Sequence, residues 1–557
     1  MAYQQASAAP LSSKNCIPSE IFRRPVTYHP TIWGDHFLTY TSDLTEISSH
    51  EEEQLEKQKE EVRKLLDATE DDSVHKMEMI DAIQRLGVGY HFEKEIDNYL
   101  QYILHHQIAT IGKLGNDLHK VALRFLLLRQ NGYYVSSDVF NDFKDHTGKF
   151  AESLISDVKG TLTLYEAAHF GLNGEDILDE ALEFCSTHLK SIVGYVSNSL
   201  ATQINEALNM PLHKSLNRLE ARKFMSIYQQ EEDHSEILLK FAKLDFNLLQ
   251  KMHQKELRGI TRWWKDLDFA NKLPFARDRV VECYFWILSV YLEPQYSLAR
   301  RILTKVIAMT SVIDDIYDVY GAFDDLQLFT DAIQRWELCA LETLPPYMRI
   351  CYQALLDVYA EIEDDMEILG TSYRVHYAKE EMKKLARAYF EEAKWLYTTS
   401  YLPNMEEYMK VTLISGAYMM LATTSLVGME SLVTKETFEW VSNEPLIVRA
   451  SSVICRLMDD MVGYGIESKF TAVECYMNEN DALKEEAFGE FRKQVEKAWK
   501  DINEECIHPT AVPVSVLMRI LNLSRVINLL YSEEDGYNNS KTKAKDIIIS
   551  VLVEPIS

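Results

Sequence analysis

The chain has 557 residues, and its 86 acidic side chains outnumber its 58 basic ones to give a net charge of −28. This charge argues against nucleic acids and anionic membranes as partners, and an apolar share of 46% excludes a disordered chain. With only 20 Gly and 14 Pro, the chain is poor in the residues that many-stranded sheets need at their turns. We therefore expect an all-α protein of more than one domain.

The cysteines and the first residues bear on the compartment. The eight cysteines are scattered without CxxC pairs, which indicates reduced core thiols and not a disulfide or zinc framework. No apolar run reaches the roughly 18 residues that a membrane span needs. Residues 1–22 lack the apolar stretch of a secretory signal. We expect them to form a disordered lead-in to a cytoplasmic protein.

Helical periodicity dominates the chain. Residues 51–66 are charged with a narrow apolar stripe, which is typical of a helix that packs by one face. A polar patch at 229–235 interrupts the apolar rhythm before a strongly apolar segment at 237–249. We therefore expect two helical domains, at 23–233 and 234–557.

The second domain has three carboxylates at the end of an apolar helix. Residues 298–320 are apolar nearly all round, as in a buried helix, yet they contain Asp314, Asp315 and Asp318. Asp314 and Asp318 share one helical face, where like charges repel unless a cation balances them. Two interpretations stay open here: an acidic cluster that is solvated or paired with Lys or Arg, and a Mg²⁺ site completed by water and substrate phosphate.

A second acidic segment favours the interpretation as a Mg²⁺ site. Asp459 and Asp460 fall late in another buried-looking helix at 447–462, and Gly463 and Glu467 continue the spacing of four from Asp459. Two such helix ends, facing each other across a bundle, could hold several Mg²⁺ ions. Ions at that place would bridge a diphosphate and neutralise it as a leaving group.

Basic and aromatic residues lie near both acidic segments. Arg277 and Arg279 follow Pro274 at a predicted helix start, and Arg456 is three residues before Asp459. Guanidinium groups bind phosphate oxygens bidentately, although each Arg alone is more typical of a surface ion pair. Aromatic faces stabilise a cation in a dry cavity, although each ring alone is more typical of core packing. The rings in or near these segments are Tyr284, Phe285, Trp286, Tyr418 and Tyr537.

Together these motifs resemble those of plant terpene synthases, specifically the cytosolic sesquiterpene synthases of flowering plants. The resemblance runs from Arg23 to the C-terminus. The motifs that carry it are Arg23, Arg24 and Trp33 for RRx8W, Arg277 and Arg279 for RxR, Asp314, Asp315 and Asp318 for DDxxD, and Asp459, Gly463 and Glu467 for the second metal motif, (N/D)DxxSxxxE.

The resemblance implies a fold and a reaction. The C-terminal domain would be a class I terpenoid synthase bundle that carries all of the catalysis. The N-terminal domain would be a relic, barrel-like helical domain whose first residues, including Arg23 and Arg24, cap the active site. It holds no DxDD motif, which argues against cyclisation started by protonation. The reaction would be Mg²⁺-dependent ionisation of a prenyl diphosphate followed by cyclisation, with three Mg²⁺ ions, or Mn²⁺ in their place, in a monomer.

The resemblance also assigns roles to residues. Asp314 and Asp318 would hold two ions, Asp459 and Glu467 the third, and Arg277 and Arg456 the departing diphosphate. Secondary positions near the diphosphate would be Arg279, Asp315, Asp460 and Lys469. Cavity-wall and lid positions would be Trp286, Ser415, Gly416, Tyr531, Asp535 and Tyr537, with a helix break at Ser415 and Gly416.

The chain departs from the family pattern at two places. Gly463 stands where the motif commonly has Ser or Thr, so we expect water to replace the hydroxyl ligand. After Glu467, about four residues of a basic segment are missing, roughly one helical turn. We expect Lys469 to supply the missing positive charge.

The main prediction is a sesquiterpene synthase that acts on farnesyl diphosphate, because no transit peptide is evident. A monoterpene synthase on geranyl diphosphate is the alternative within the family. A chain-elongating prenyltransferase would normally show a second DDxxD, and a di-iron bundle would need Glu-x-x-His pairs, which are missing near these helix ends. A catalytically silent helical scaffold is the alternative from a different class.

Overall fold

The computed structural model describes residues 28, 30–41, 45–71, 73–105, 117–397, 401–429, 432–466, 469–539 and 543–557. No described residue belongs to a β-strand, and an isolated antiparallel bridge joins Lys144 to Phe150. The all-α fold class is therefore confirmed. The predicted lead-in at 1–22 lies outside the described residues, so that expectation stays a prediction.

The first group of helices surrounds its own apolar core. Side chains cap several of them: Ser48 and Glu51 form a capping box at the first helix, and Asp117 accepts from the backbone N–H of Lys120 at the fourth. The helices of this group are α1 Ser49–Ala68, α2 Val74–Arg85, α3 Glu93–His105, α4 Leu118–Gln130, α5 Val158–Ala168, α6 Asp176–Ile192, α7 Asn198–Asn209 and α8 Asn217–Tyr228.

The second group is longer and holds the predicted site residues. Its helices are α9 Glu236–Leu267, α10 Phe269–Lys272, α11 Val280–Val290, α12 Ser297–Asp315, α13 Phe323–Arg335, α14 Pro346–Ile368, α15 Tyr373–Tyr397, α16 Met405–Ser415, α17 Tyr418–Ser425, α18 Lys435–Ser442, α19 Leu446–Gly463, α20 Ala472–Asn480, α21 Lys484–Glu505, α22 Val514–Leu530 and α23 Lys543–Leu552. Short 3-10 turns are His36–Thr39, Gly89–His91, Ser137–Phe143, Glu152–Ser156, Val193–Tyr195, Leu212–Lys214, Pro294–Tyr296 and Leu338–Thr343.

Two apolar cores divide the molecule, and α8 and α9 belong to both. Leu238 to Phe246 of α9 contribute to the first core, whereas Leu257 to Trp264 contribute to the second. The boundary predicted at 233 falls in the turn between α8 and α9. A helix of 32 residues spans about 48 Å, so α9 is long enough to serve both cores. The division into 23–233 and 234–557 stays a prediction, because the cores are joined by continuous helix.

An N-terminal segment crosses to the second core. Trp33 and Phe37 are buried among residues of the second core, and the Trp33 Nε1–H donates to Glu282 Oε1 at 2.9 Å. Glu282 lies on α11, two residues beyond its first residue, Val280. This contact brings the beginning of the described chain next to the segment that carries Arg277 and Arg279.

Gly428 lies in the turn after α17 and packs closely against Ala299 of α12. A substitution at Gly428 tests this packing. A Cβ at this position would come within 2.6 Å of the Ala299 Cα and 2.8 Å of the Ala299 N, which are backbone atoms. We expect Gly428→Ala to lower the free energy of unfolding by about 2 kcal/mol, because backbone cannot move aside as a side chain can. A fall in the midpoint of thermal unfolding, followed by circular dichroism, would show this.

Gly489 is the matched control. It lies inside α21 with open space where a Cβ would be, so Gly489→Ala should raise stability by about 0.5–1 kcal/mol through helix propensity. Equal midpoints for the two variants would contradict the close contact at Gly428.

Candidate active site

The first acidic motif lies where α12 changes its helical geometry. α12 ends at Asp315, and residues Ile316–Tyr320 form one π-helical turn. Asp314 therefore lies just before this widened turn and Asp318 lies within it, and such turns are frequent at functional sites. Gly321 closes this turn by donating its N–H to the Ile316 carbonyl at 2.7 Å. A Cβ on Gly321 would come within 2.7 Å of the same oxygen, so the turn requires glycine.

Asp315, unlike Asp314 and Asp318, does not line the cavity that is described below. It is fully buried, and its Oδ2 accepts the backbone N–H of Arg277 at 2.7 Å. Tyr28 also hydrogen-bonds to this carboxylate. Asp315 therefore holds the segment before α11 in place and does not line the cavity described below.

The two aspartates of the second acidic motif also have different surroundings: one lines the cavity and the other is buried. Asp459 pairs with Arg456 on the cavity side of α19. Asp460 is buried, where its Oδ2 accepts from the Tyr408 hydroxyl at 2.9 Å and from the Ala472 N–H at 2.8 Å. In each motif, one aspartate of the DD pair faces the cavity, and the other accepts a hydrogen bond from a backbone N–H group of another segment.

Each cavity-facing aspartate is paired with a basic side chain. Arg277 binds Asp314, Arg456 binds Asp459, and the Lys469 Nζ lies 2.7 Å from Asp318 Oδ2. Burial raises the pKa of Asp314 above its usual value, and the neighbouring Asp318 carboxylate raises it further, whereas Arg277 lowers it. Asp314 thus stands where additional positive charge stabilises its carboxylate.

These side chains surround one cavity of about 810 Å³. Its volume lies in the range of small-molecule sites. Acidic and basic residues share this lining with apolar and aromatic side chains. The predicted residues that line it are Arg277, Trp286, Asp314, Asp318, Ser415, Gly416, Arg456, Asp459, Gly463, Lys469, Tyr531, Asp535 and Tyr537.

Trp286 lies at the centre of an aromatic wall. Its ring makes edge-to-face contacts with Tyr537, Tyr531 and Tyr418, at centroid distances of 5.5, 6.4 and 6.5 Å. The Tyr418 hydroxyl donates to the Leu523 carbonyl at 2.8 Å, and the Tyr537 hydroxyl donates to Ser311 Oγ at 2.8 Å. Because the protein binds these hydroxyls, the rings can offer π-faces to a ligand.

The predicted helix break lies between α16 and α17. α16 ends at Ser415, and α17 begins at Tyr418. The left-handed residue is Ala417, with φ of 65°, and not Gly416, whose φ is −63°. A Cβ on Gly416 would lie 3.3 Å from the Thr412 carbonyl oxygen. Gly416 therefore serves close packing, and Ala417 makes the turn.

The predicted lid residues form a compact turn beside Arg277. Asp535 Oδ1 accepts from the backbone N–H groups of Tyr537 and Asn538, at 3.0 and 2.8 Å. Arg279 is buried and donates to the carbonyls of Tyr537 and Asn538, at 3.1 and 2.8 Å. Arg279 is absent from the cavity lining, so its contacts are those of a support for residues 535–539.

The three aspartates fit a hard divalent cation. Carboxylate oxygens are the ligands Mg²⁺ prefers, and Mg²⁺ keeps waters and takes substrate phosphate oxygens besides. Among the described residues, no group of three or more His, Cys, Asp or Glu side chains encloses a metal position by itself. Gly463 lines the cavity without a ligand atom in its side chain, whereas Glu467, Arg23 and Arg24 lie outside the described residues.

Four residues of the site were missed by motif-based reasoning. Asn538 Oδ1 accepts from Arg277 Nη1 at 2.7 Å, and Tyr28 lies with its ring centroid 5.0 Å from the Arg277 Cζ. Tyr389 lines the cavity from α15. Glu392, one turn later, is buried and accepts from Ser415 Oγ at 2.9 Å. Tyr389 and Glu392 are three residues apart and therefore share one helical face. This spacing predicts a functional site only weakly, because many helices without a functional role contain it.

Arg279→Lys tests the support of the lid segment. A lysine has a single donor nitrogen and no planar fork, so it cannot reproduce the geometry in which Nε and Nη2 of Arg279 reach the carbonyls of residues 537 and 538. We expect backbone amides at 535–539 to exchange with deuterium roughly fivefold faster, measured by mass spectrometry.

Arg374→Lys is the control for this substitution. Arg374 is an equally buried arginine that donates to carbonyls of another segment, those of Val427 and Val433, at 3.1 and 2.7 Å. Its variant should leave exchange at 535–539 unchanged. Unchanged exchange in the Arg279 variant as well would remove the supporting role.

The chain matches two protein families along most of its length. Residues 32–208 match the terpene synthase N-terminal domain, and residues 265–501 match the metal-binding domain of the terpene synthase family. A (−)-germacrene D synthase of Origanum vulgare is 59% identical over 553 residues, which cover 99% of this chain and 98% of the relative. A β-caryophyllene synthase of Phyla dulcis is 57% identical over 551 residues, covering 98% and 99%.

A solved structure extends the similarity to the fold. The crystal structure of isoprene synthase from grey poplar, Populus x canescens, holds three Mg²⁺ ions and dimethylallyl-S-thiolodiphosphate. It aligns with a TM-score of 0.86 at 34% identity, over 91% of this chain and 98% of that one. With two domain matches and relatives this similar over the whole length, the chain belongs to the terpene synthase family.

Proposed function

We propose that the protein is a Mg²⁺-dependent sesquiterpene synthase, a lyase that ionises farnesyl diphosphate and cyclises the resulting carbocation. One observation carries the proposal: aspartates of two remote motifs and three basic side chains line the same cavity as a set of aromatic and apolar side chains. The relatives named for germacrene D and β-caryophyllene, both fifteen-carbon hydrocarbons, support farnesyl diphosphate as the substrate.

Asp314, Asp318 and Asp459 would hold the metal ions, with Glu467 as the further ligand that the second motif predicts. When bound, the ions neutralise the diphosphate and make it a better leaving group. Three ions, and Mn²⁺ as a substitute, belong to this proposal. Gly463 leaves room for water at the place of a hydroxyl ligand.

Arg277 and Arg456 would orient the diphosphate. Arg277 is held by Asp315 through its backbone and by Asn538 through its guanidinium, and Arg456 Nη2 lies 2.6 Å from Asp460 Oδ1. A guanidinium fixed in this way loses little further freedom when it binds phosphate oxygens. Both arginines can therefore retain the departing diphosphate at the polar end of the cavity.

The apolar end would shape the cation and exclude water. Trp286, Tyr418 and Tyr537 would face the hydrocarbon, and their ring faces stabilise positive charge by up to about 2 kcal/mol each in a dry site. Ile307, Leu421 and Ile527 also line the cavity and add apolar surface to its wall. Closure of residues 535–539 over the substrate would complete the exclusion of water.

The compartment and the working unit are part of the same proposal. The seven cysteines in the described part of the chain are free thiols, which supports a reducing compartment such as the cytoplasm. We also propose that the working unit is a monomer. None of the described helices combines the length and the hydrophobicity that a bilayer crossing requires.

Prenyl diphosphates of three lengths test the function directly. We expect the purified protein with Mg²⁺ to convert farnesyl diphosphate into volatile fifteen-carbon products, detected by gas chromatography, with a kcat/KM at least about tenfold above that for geranyl or geranylgeranyl diphosphate. Preference for geranyl diphosphate would select the monoterpene alternative. A protein that releases no product from any of them, with Mg²⁺ or with EDTA, would be a scaffold.

Asp314→Asn tests the metal assignment. Asparagine keeps the shape of the side chain and removes its charge, so we expect kcat/KM for farnesyl diphosphate to fall by at least about a hundredfold. Mn²⁺ binding, followed by electron paramagnetic resonance, should weaken in the same variant. Asp324→Asn serves as the control, because Asp324 is an exposed aspartate of α13, away from the cavity. Equal activity of the two variants would refute the role of Asp314.

A further inference from the structure

Each of the three cavity-facing aspartates has a basic partner of its own. Arg277 has contacts with Asp314, Asp315, Asn538 and the ring of Tyr28. Arg456 is likewise buried between two carboxylates of its own helix. Both arginines are thus bound by groups besides the aspartate that faces the cavity. Lys469 is the third partner and, like Arg277, it comes from a segment outside the helices.

Lys469 joins the two acidic motifs. It follows the second motif in the chain, yet its Nζ lies 2.7 Å from Oδ2 of Asp318, which belongs to the first. Its charge also lowers the pKa of Asp314 and of Glu392, which burial raises. The lysine therefore stands where positive charge is needed by several carboxylates at once.

The position of Lys469 follows from a short connection that is anchored at both ends. Eight residues separate Gly463 at the end of α19 from Ala472 at the start of α20. Asp460 holds both sides: its carbonyl accepts the Tyr464 N–H at 3.1 Å, and its carboxylate accepts the Ala472 N–H at 2.8 Å. This anchoring places position 469 at the edge of the cavity.

The chemistry of an ammonium group suits a temporary partner. Lysine carries a compact, strongly hydrated charge on a flexible stem of four carbons, whereas a guanidinium group is a planar fork that binds carboxylates bidentately. The side chains of Lys469 and Asp318 remain 20% and 18% exposed, so water and a dissolved cation can reach the pair. The ammonium and a divalent cation compete for the same carboxylate oxygens.

We propose that Lys469 is the exchangeable counter-ion of the site: it holds Asp318 in the metal-free enzyme, gives this carboxylate up to a divalent cation, and then donates to the diphosphate. This inference rests on the proposed function. It makes Lys469 an antagonist of metal binding before the substrate arrives and a ligand of the diphosphate afterwards.

Two affinities of Lys469→Gln test the proposal. In the protein without substrate, we expect Mn²⁺ to bind roughly threefold to tenfold more tightly than to the wild type, measured by electron paramagnetic resonance, because its competitor is gone. In the presence of Mg²⁺, inorganic diphosphate should bind about tenfold more weakly, measured by calorimetry, because a charge-assisted hydrogen bond is lost. Lys469→Arg should restore the diphosphate affinity.

Lys379→Gln is the matched control. Lys379 also joins two elements, since its Nζ lies 2.6 Å from Glu363 Oε1 across α14 and α15, but it is remote from the cavity lining. This variant should keep both wild-type affinities. The proposal is overturned if Lys469→Gln leaves either affinity within twofold of the wild type, or if Lys379→Gln produces the same two changes.

The outcomes also separate this proposal from the proposed function. A wild-type protein that neither binds Mn²⁺ nor converts farnesyl diphosphate would refute the enzyme assignment, and the role of Lys469 with it. A wild-type protein that does both, with a Lys469→Gln variant unchanged in either affinity, would refute the role of Lys469 alone.

Discussion

Repulsion between partly buried carboxylates is the constraint on which the site depends. Asp314, Asp318 and Asp459 all line one cavity, and partial burial removes much of the water that would otherwise stabilise their charges. Each therefore has a basic partner in the structure. A site that must balance its own negative charge in this way is also prepared for divalent cations and, through them, for a diphosphate.

The fold and the main acidic residues were predictable, because each rests on a short-range signal. Low glycine and proline content with helical periodicity predicts an all-α protein, and the structure confirms it. Asp314 and Asp459 stand out because a carboxylate late in an apolar helix is costly unless it is neutralised. That both line one cavity required the structure, since nothing in the local pattern relates two helices 145 residues apart.

The remaining features depend on contacts between distant segments. Asp314 and Asp315 have the same chemistry in the sequence, yet the structure turns one to the cavity and buries the other against the Arg277 backbone. The π turn, the left-handed Ala417 and the Asn538 contact to Arg277 likewise have no sequence motif. Lys469 was expected to add positive charge, but its pairing with Asp318 of the other motif follows from how Asp460 anchors the connection.

The most direct test is a crystal structure of the protein grown with Mn²⁺ and a non-hydrolysable thiolo analogue of farnesyl diphosphate. Anomalous diffraction should show Mn²⁺ bonded to carboxylate oxygens of Asp314 and Asp318 on one side of the cavity and of Asp459 on the other, with the diphosphate between them. The account is contradicted if the metal peaks lie away from these carboxylates, or if the hydrocarbon chain lies outside the cavity walled by Trp286.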